Sequence, residues 1–168
     1  LAQAAGRVLA KDVAAAVNLP RFDNSAMDGY AVIAAEAGSG AQLQCVGEVP
    51  AGSAFEGILQ SGQCLRIFTG SPMPAGANAV VMQEDTCVKA DRVEIIDGVK
   101  PFEHIRLRGE DVKEGEPIGH AGEVMHAGRL QLLGAAGVSR VEVYRRPIVG
   151  VLATGDELRE PGEAFGEG

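Results

Sequence analysis

Asp23, Asn24, Ser25 and Asp28 fall in the short run Phe22-Asp23-Asn24-Ser25-Ala26-Met27-Asp28-Gly29-Tyr30-Ala31-Val32, which is too short to be a helix. Asp28 in such a setting can ligate a divalent cation, bind a substrate hydroxyl or amide, or act as a general base, because carboxylates serve all three. The competing explanation is an Asx-type turn, in which Asp and Asn accept from nearby backbone N–H groups. A second string, from Arg66 to Glu84, joins a strand, a Thr69-Gly70-Ser71 turn, a Pro/Gly-rich loop and another strand. Free N–H groups and hydroxyls at Thr69, Gly70 and Ser71 can hold an oxyanion. A plain β-connection that needs Gly and Pro explains the same string.

Two further groups have chemistry in them. Arg106-Leu107-Arg108-Gly109-Glu110-Asp111 offers two cations on one strand face and then two carboxylates. It reads either as an anion contact with Asp111 orienting the arginines, or as a cross-strand ion-pair ladder on a solvated face. Thr154-Gly155-Asp156-Glu157 follows the apolar run Ile148–Ala153, at the end of a strand where open α/β sheets place ligands. Paired carboxylates there can hold Mg²⁺ against an anionic substrate, or Asp156 can cap a helix N-terminus. His104, His120 and His126 have no metal-ligand spacing and read as surface or packing residues, and Met27 and Met82 as packing residues.

The elements that must position these groups are mostly β. A chain of 168 residues with 46% hydrophobic and 23% charged residues has a globular composition, long enough for one ordinary domain or two small ones. Its 23 glycines and 4% aromatic content point to many turns and few large packed rings. Strands are expected at 42–50, 63–68 and 79–82, each bounded by Gly or Pro clusters, with a hairpin over Cys87–Ile96 turning at Ala90-Asp91. His104–Arg108 and Arg140–Tyr144 are expected strands, and Arg7–Val13 has extended character after an Ala-rich helix end stopped by Gly6. Helical spacing of apolar residues over Gly128–Ala136, stopped by Gly137, gives one helix. Ile148–Ala153 reads as the first buried strand of a parallel sheet whose other strands are missing. The chain is therefore expected to stop just inside a new domain, with a start that looks trimmed.

A net charge of −8 argues against a nucleic-acid binder, so any anion site must be local. Three widely spaced cysteines, Cys45, Cys64 and Cys87, without a C-x-x-C pattern read as reduced thiols of a cytoplasmic protein. No apolar run approaches membrane-span length, so no membrane is expected as a partner.

The wording P-R-F-D-N-S-A-M-D-G-Y-A-V, with R-I-F-T-G-S-P-M-P-A-G-A-N-A-V-V-M-Q-E, R-L-R-G-E-D and T-G-D-E-L in the same order, resembles the molybdopterin molybdenumtransferase family, which includes MoeA and the gephyrin E domain. The likeness runs from about Gly6 to Gly162. It implies a mixed α and β fold: a β-rich lid domain, 23–110, inserted in an elongated α+β dimerisation domain formed by 1–22 and 111–146. It also implies that 147–168 begin a truncated α/β molybdopterin-binding domain, the rest of which, with a fourth domain, is absent. The implied reaction inserts molybdate into adenylylated molybdopterin with release of AMP and depends on Mg²⁺. By motif position, Asp28, Thr69 and Glu157 become catalytic residues, with Asp28 and Glu157 as metal ligands. Ser25, Gly70, Ser71, Asp111, Thr154 and Asp156 become substrate-binding residues. The implied partners are adenylylated molybdopterin, molybdate, a second copy in a homodimer and the molybdopterin adenylyltransferase. The chain is expected to supply the lid side of the site and to be inactive alone. A scaffold module of the gephyrin type, without catalysis, and a generic anion- or oligosaccharide-binding β domain are the rival readings.

Overall fold

The computed structural model describes residues 1–155 and 157–164. A 3₁₀ turn at Ala2–Ala4 gives way at Gly6, whose φ of 68° suits a residue without a Cβ. The strands follow as β1 Val13–Ala14, β2 Asn24–Ser25, β3 Gly29–Val32, β4 Gln42–Val49 and β5 Gln63–Ile67. Then come β6 Ala79–Met82, β7 Thr86–Lys89, β8 Arg92–Ile95, β9 Ile105–Arg106 and β10 Pro117–Gly119. The helix α1 spans Ala127–Ala135, and Gly137 leaves it at φ 82°. His126 precedes α1 with its Nδ1 accepting from the Arg129 N–H at 3.4 Å, so this histidine caps the helix. The fold is therefore mixed and strand-rich, with one α-helix among the described residues.

Six strands form one sheet in the order β6-β3-β5-β4-β8-β7, antiparallel except for the parallel β4–β5 pair. Side chains alternate across it with the two-residue period of a strand. Tyr30, Val32, Cys64, Ala79 and Val81 enter one core with Leu43, Val93 and Ile95. Ala31, Leu65, Ile67 and Val80 enter a second core with Val49 and Leu59 on the opposite face. Burial on both faces explains why β3 and β6 are nearly continuous apolar runs. Each fully buried Leu, Ile or Val contributes about 1.5–3 kcal/mol relative to exposure. The β7–β8 hairpin turns at Ala90-Asp91, with Ala90 at φ 55°.

A third core draws on both ends of the chain, combining Ala4, Leu9 and Ala15 with Val112, Ile118, Met125, Leu133 and Ala136. It is laced by the β1–β10 pair and by bridges Val8–Val124, Leu9–Val143 and Leu19–Val112. The small β2–β9 pair, Asn24 with Arg106 and Ser25 with Ile105, lies in the sequence between this core and the large sheet.

Three expected strands differ in the structure. His104–Arg108 narrows to Ile105–Arg106, because His104 takes φ 58° and the Glu110 carboxylate accepts from the Leu107 N–H, turning the chain. Arg140–Tyr144 keeps only the Leu9–Val143 bridge. Ile148–Ala153 forms no strand and lies exposed, Ile148 at 96% and Val151 at 92%. A buried parallel strand needs neighbours on both edges, and no described residue pairs with this run.

Gly29 is the tightest backbone position in the sheet: a Cβ there would stand 1.9 Å from the Val81 carbonyl oxygen. Gly29→Ala is expected to destabilise the protein by roughly 3 kcal/mol or more. Gly38→Ala, where a Cβ meets nothing within 4 Å, should change stability by less than about 0.5 kcal/mol. Urea unfolding of the two variants beside the wild type checks both.

Candidate functional site

The antiparallel pairing of β3 with β5 sets Gly29 opposite Ile67, so the residue before β3 meets the residues after β5. That register brings Asp28 to Thr69. One carboxylate oxygen of Asp28, Oδ1, accepts from both the Thr69 N–H and the Thr69 hydroxyl, each at 2.8 Å. Oδ2 accepts no hydrogen bond from the described residues, and both side chains stand at the open surface. The Thr69 N–H, then its hydroxyl, and last the charge of Arg66 hold the Asp28 carboxyl below its ordinary value of 3.8, with slight burial opposing them. Asp28 is thus ionised near neutrality, with one oxygen fixed and the other available.

The main chain of Asp28 is held as well. Its carbonyl accepts from the Gln83 N–H at 3.0 Å. Arg66 donates through Nη1 to the Gly29 carbonyl at 3.4 Å and through Nη2 to the Gln83 side-chain oxygen. Its guanidinium carbon lies 5.1 Å from the ring centroids of both Tyr30 and Phe68. Arg66 and Gln83 were not singled out by the sequence reading. Their spacing in the strand-turn-loop string, three residues before Thr69 and at the end of β6, is the signal that could have found them.

The Thr69-Gly70-Ser71 turn is not the open oxyanion cradle expected from its composition. The Thr69 N–H goes to Asp28, the Gly70 N–H to the Ser25 carbonyl at 2.8 Å, and the Ser71 N–H to the Phe68 carbonyl at 2.9 Å. Ser25 and Ser71 are fully buried. The Ser25 hydroxyl donates to the Met27 carbonyl, and the Ser71 hydroxyl to the Val49 carbonyl at 2.9 Å. Both serines therefore hold the loop rather than face a ligand, since a buried hydroxyl takes its partner from the protein. Asp23 and Asn24 likewise serve the turn. Asp23 accepts from the Arg108 N–H at 2.7 Å, and Asn24 donates to the Phe22 carbonyl at 3.1 Å.

Asp111 pairs with Arg106 Nη2, while Glu110 takes Arg106 Nε at 2.7 Å and the Leu107 N–H at 2.7 Å. The guanidinium is about half exposed, so solvent screens the pairs and they add little to stability. Their geometric effect is to tie Asp111 through β9 to Asn24 on β2. Thr154 and Glu157 are exposed, and no hydrogen bond or ion pair joins them to Asp28 or Thr69. Asp156 lies outside the described residues.

Among the described residues no group of three or more His, Cys, Asp or Glu is arranged to hold a metal ion. A closed metal cage is therefore not built here. A single available carboxylate oxygen on Asp28 does suit Mg²⁺, which takes one or two carboxylates and keeps waters and substrate oxygens for the rest. Among the described residues no helix is long and apolar enough to cross a membrane.

Because the Asp28 carboxyl is lowered on folding, its contribution to stability is complete above the unfolded value and is lost as pH falls through the lower, folded value. Thr69→Val removes the hydroxyl donor and keeps the N–H. It is expected to move the Asp28 titration midpoint upward, towards the ordinary value, without restoring it fully. Carboxyl-carbon NMR titration of wild type and variant checks this.

The family model described as "MoeA N-terminal region (domain I and II)" matches residues 1–137. The molybdopterin molybdenumtransferase of Haemophilus influenzae is 40% identical across 100% of this chain, which covers 42% of that protein. Molybdopterin molybdenumtransferase 2 of Mycobacterium tuberculosis is 44% identical over 96% of this chain and 41% of its own length. The crystal structure of the molybdopterin biosynthesis MoeA protein from Pyrococcus horikoshii OT3 superposes with a TM-score of 0.90 at 36% identity, over 96% of this chain and 44% of that one. The chain thus spans about two fifths of the length of the relatives it matches. On a match over residues 1–137, supported by relatives and a solved structure along nearly its whole length, this chain belongs to the MoeA N-terminal region family.

Proposed function

We propose that this chain is one side of the active site of a molybdopterin molybdenumtransferase, which inserts molybdate into adenylylated molybdopterin and releases AMP. The observation that carries the reading is the Asp28–Thr69 pair: an ionised, surface carboxylate with one oxygen fixed and one available, in a chain whose relatives bear that enzyme name. Molybdate and molybdopterin are then substrates. Mg²⁺, where bound, would polarise the phosphate link whose cleavage frees AMP.

The residues divide the work by what they touch. Asp28 offers Oδ2 to the cation or to a substrate-bound water, and Thr69 holds Oδ1 so that the carboxylate cannot turn. Asp111 supports the neighbouring β2–β9 pair through Arg106. Glu157, Thr154 and Asp156 belong to the opposing side, and in this reading Glu157 joins Asp28 on the cation only when the rest of the molybdopterin-binding domain is present. The region 23–110 acts as a lid, the two-ended core of 1–22 and 111–146 as the dimerisation domain, and 147–168 as the start of the molybdopterin-binding domain. The active species is a cytoplasmic homodimer that receives its adenylylated substrate from the molybdopterin adenylyltransferase, and this chain alone is inactive.

Two measurements test the reading. In a full-length protein containing this chain, Asp28→Ala is expected to slow AMP release by roughly 100-fold or more. This chain alone should release no AMP from adenylylated molybdopterin, molybdate and Mg²⁺, whereas mixing it with the full-length Asp28→Ala protein should restore release. Mixed dimers demonstrated by native mass spectrometry yet silent in the assay would overturn the catalytic reading and favour a scaffold module.

A further inference from the structure

Arg66 has no part in the chemistry assigned above, yet it lies beside Asp28, which does. On β5 it is the register partner of Tyr30 on β3, and its guanidinium carbon is equidistant, at 5.1 Å, from the Tyr30 and Phe68 rings. Both aromatic faces attract the cation and help to hold it in place. Nη1 reaches the Gly29 carbonyl at 3.4 Å and Nη2 reaches the side-chain oxygen of Gln83. The main-chain N–H of Gln83 in turn donates to the Asp28 carbonyl at 3.0 Å. The guanidinium thus bonds the Gly29 carbonyl directly and the side chain of the residue whose backbone holds the Asp28 carbonyl. Thr69 meanwhile fixes the carboxylate from the other side.

We infer that Arg66 is a positioning residue of this site: its guanidinium, acting through Gly29 and Gln83, sets the backbone from which Asp28 presents its available oxygen. The inference rests on Asp28 being the working carboxylate of the proposed transferase. The role demands arginine. A lysine ammonium is a point charge without the planar fork that reaches two separate acceptors while its charge lies over aromatic rings. The nearby positive charge also favours the ionised form of Asp28, after the two Thr69 hydrogen bonds.

The test uses the full-length protein containing this chain, with Arg66→Met, Arg66→Lys, Gln83→Ala and the Arg66→Met/Gln83→Ala double variant. AMP release is measured as kcat and KM, and the Asp28 carboxyl is titrated by NMR. Arg66→Met is expected to lower kcat on the order of 10–100-fold with KM little changed, as small misplacement of a reacting group does. Arg66→Lys should leave kcat low while returning the Asp28 midpoint towards wild type, separating position from charge. Gln83→Ala, at an exposed side chain, should reduce kcat in the same direction, and the double variant should be no worse than Arg66→Met alone. Wild-type kcat in a folded Arg66→Met protein, full rescue by lysine, or additive losses in the double variant would each overturn the inference. If Arg66→Met does not fold, an unchanged kcat in Gln83→Ala overturns it. A wild-type protein that releases no AMP sinks the functional reading instead. The backbone amide NMR shifts of Asp28 and Gly29 in Arg66→Met then still decide whether Arg66 sets that backbone, unmoved shifts counting against it.

Discussion

The close approach of β3 to β6 at Gly29 is the constraint on which the rest depends. With the Val81 carbonyl 1.9 Å from where a Cβ would stand, only glycine lets the strand begin there. Starting β3 at that point fixes the registers Gly29–Ile67 and Gly29–Met82 on its two sides. Those registers in turn place Thr69, just beyond β5, and Gln83, just beyond β6, around Asp28. A one-residue slip would turn every side chain of β3 to the opposite face, exchanging its contributions to two separate cores. The site geometry and the packing are therefore specified by the same backbone contact.

Around Asp28 the polar groups are ordered by burial. Ser25 and Ser71 lie at zero exposure with their hydroxyls tied to main-chain carbonyls, while Asp28 and Thr69 remain at the surface. A buried hydroxyl left without a partner costs about 1–3 kcal/mol, so the inner pair must serve the fold. The outer pair escapes that demand because water satisfies what the protein does not. This division turns a run of equally polar residues into a buried scaffold and an exposed polar face.

Charge follows the same logic on a larger scale. The protein carries a net −8, so its overall field does not favour an anionic substrate. Two cations near the site are placed against local groups: Arg66 at 5.1 Å from two ring centroids, and Arg106 paired with two carboxylates. A closed metal cage is absent among the described residues.

Much of the local structure was legible in the chain. The β7–β8 hairpin, the strands at 42–49, 63–67 and 79–82, and the helix ending before Gly137 follow from periodicity and turn residues within a few positions of each other. The family too was legible, because four strings of side chains occur in a fixed order. Periodicity failed where folding is decided at a distance: His104 takes a left-handed turn, and Ile148–Ala153 stays exposed without strand neighbours. The sequence also could not tell the two serines from Thr69, since all three carry the same hydroxyl. Tertiary structure alone decided that Thr69 meets an aspartate 41 residues earlier, that Ser25 and Ser71 are enclosed, and that Arg66 reaches Gln83. The physical reason is that a strand's period is written in adjacent residues, whereas its register, and hence which side chains meet, is set only when both neighbouring strands pack against it.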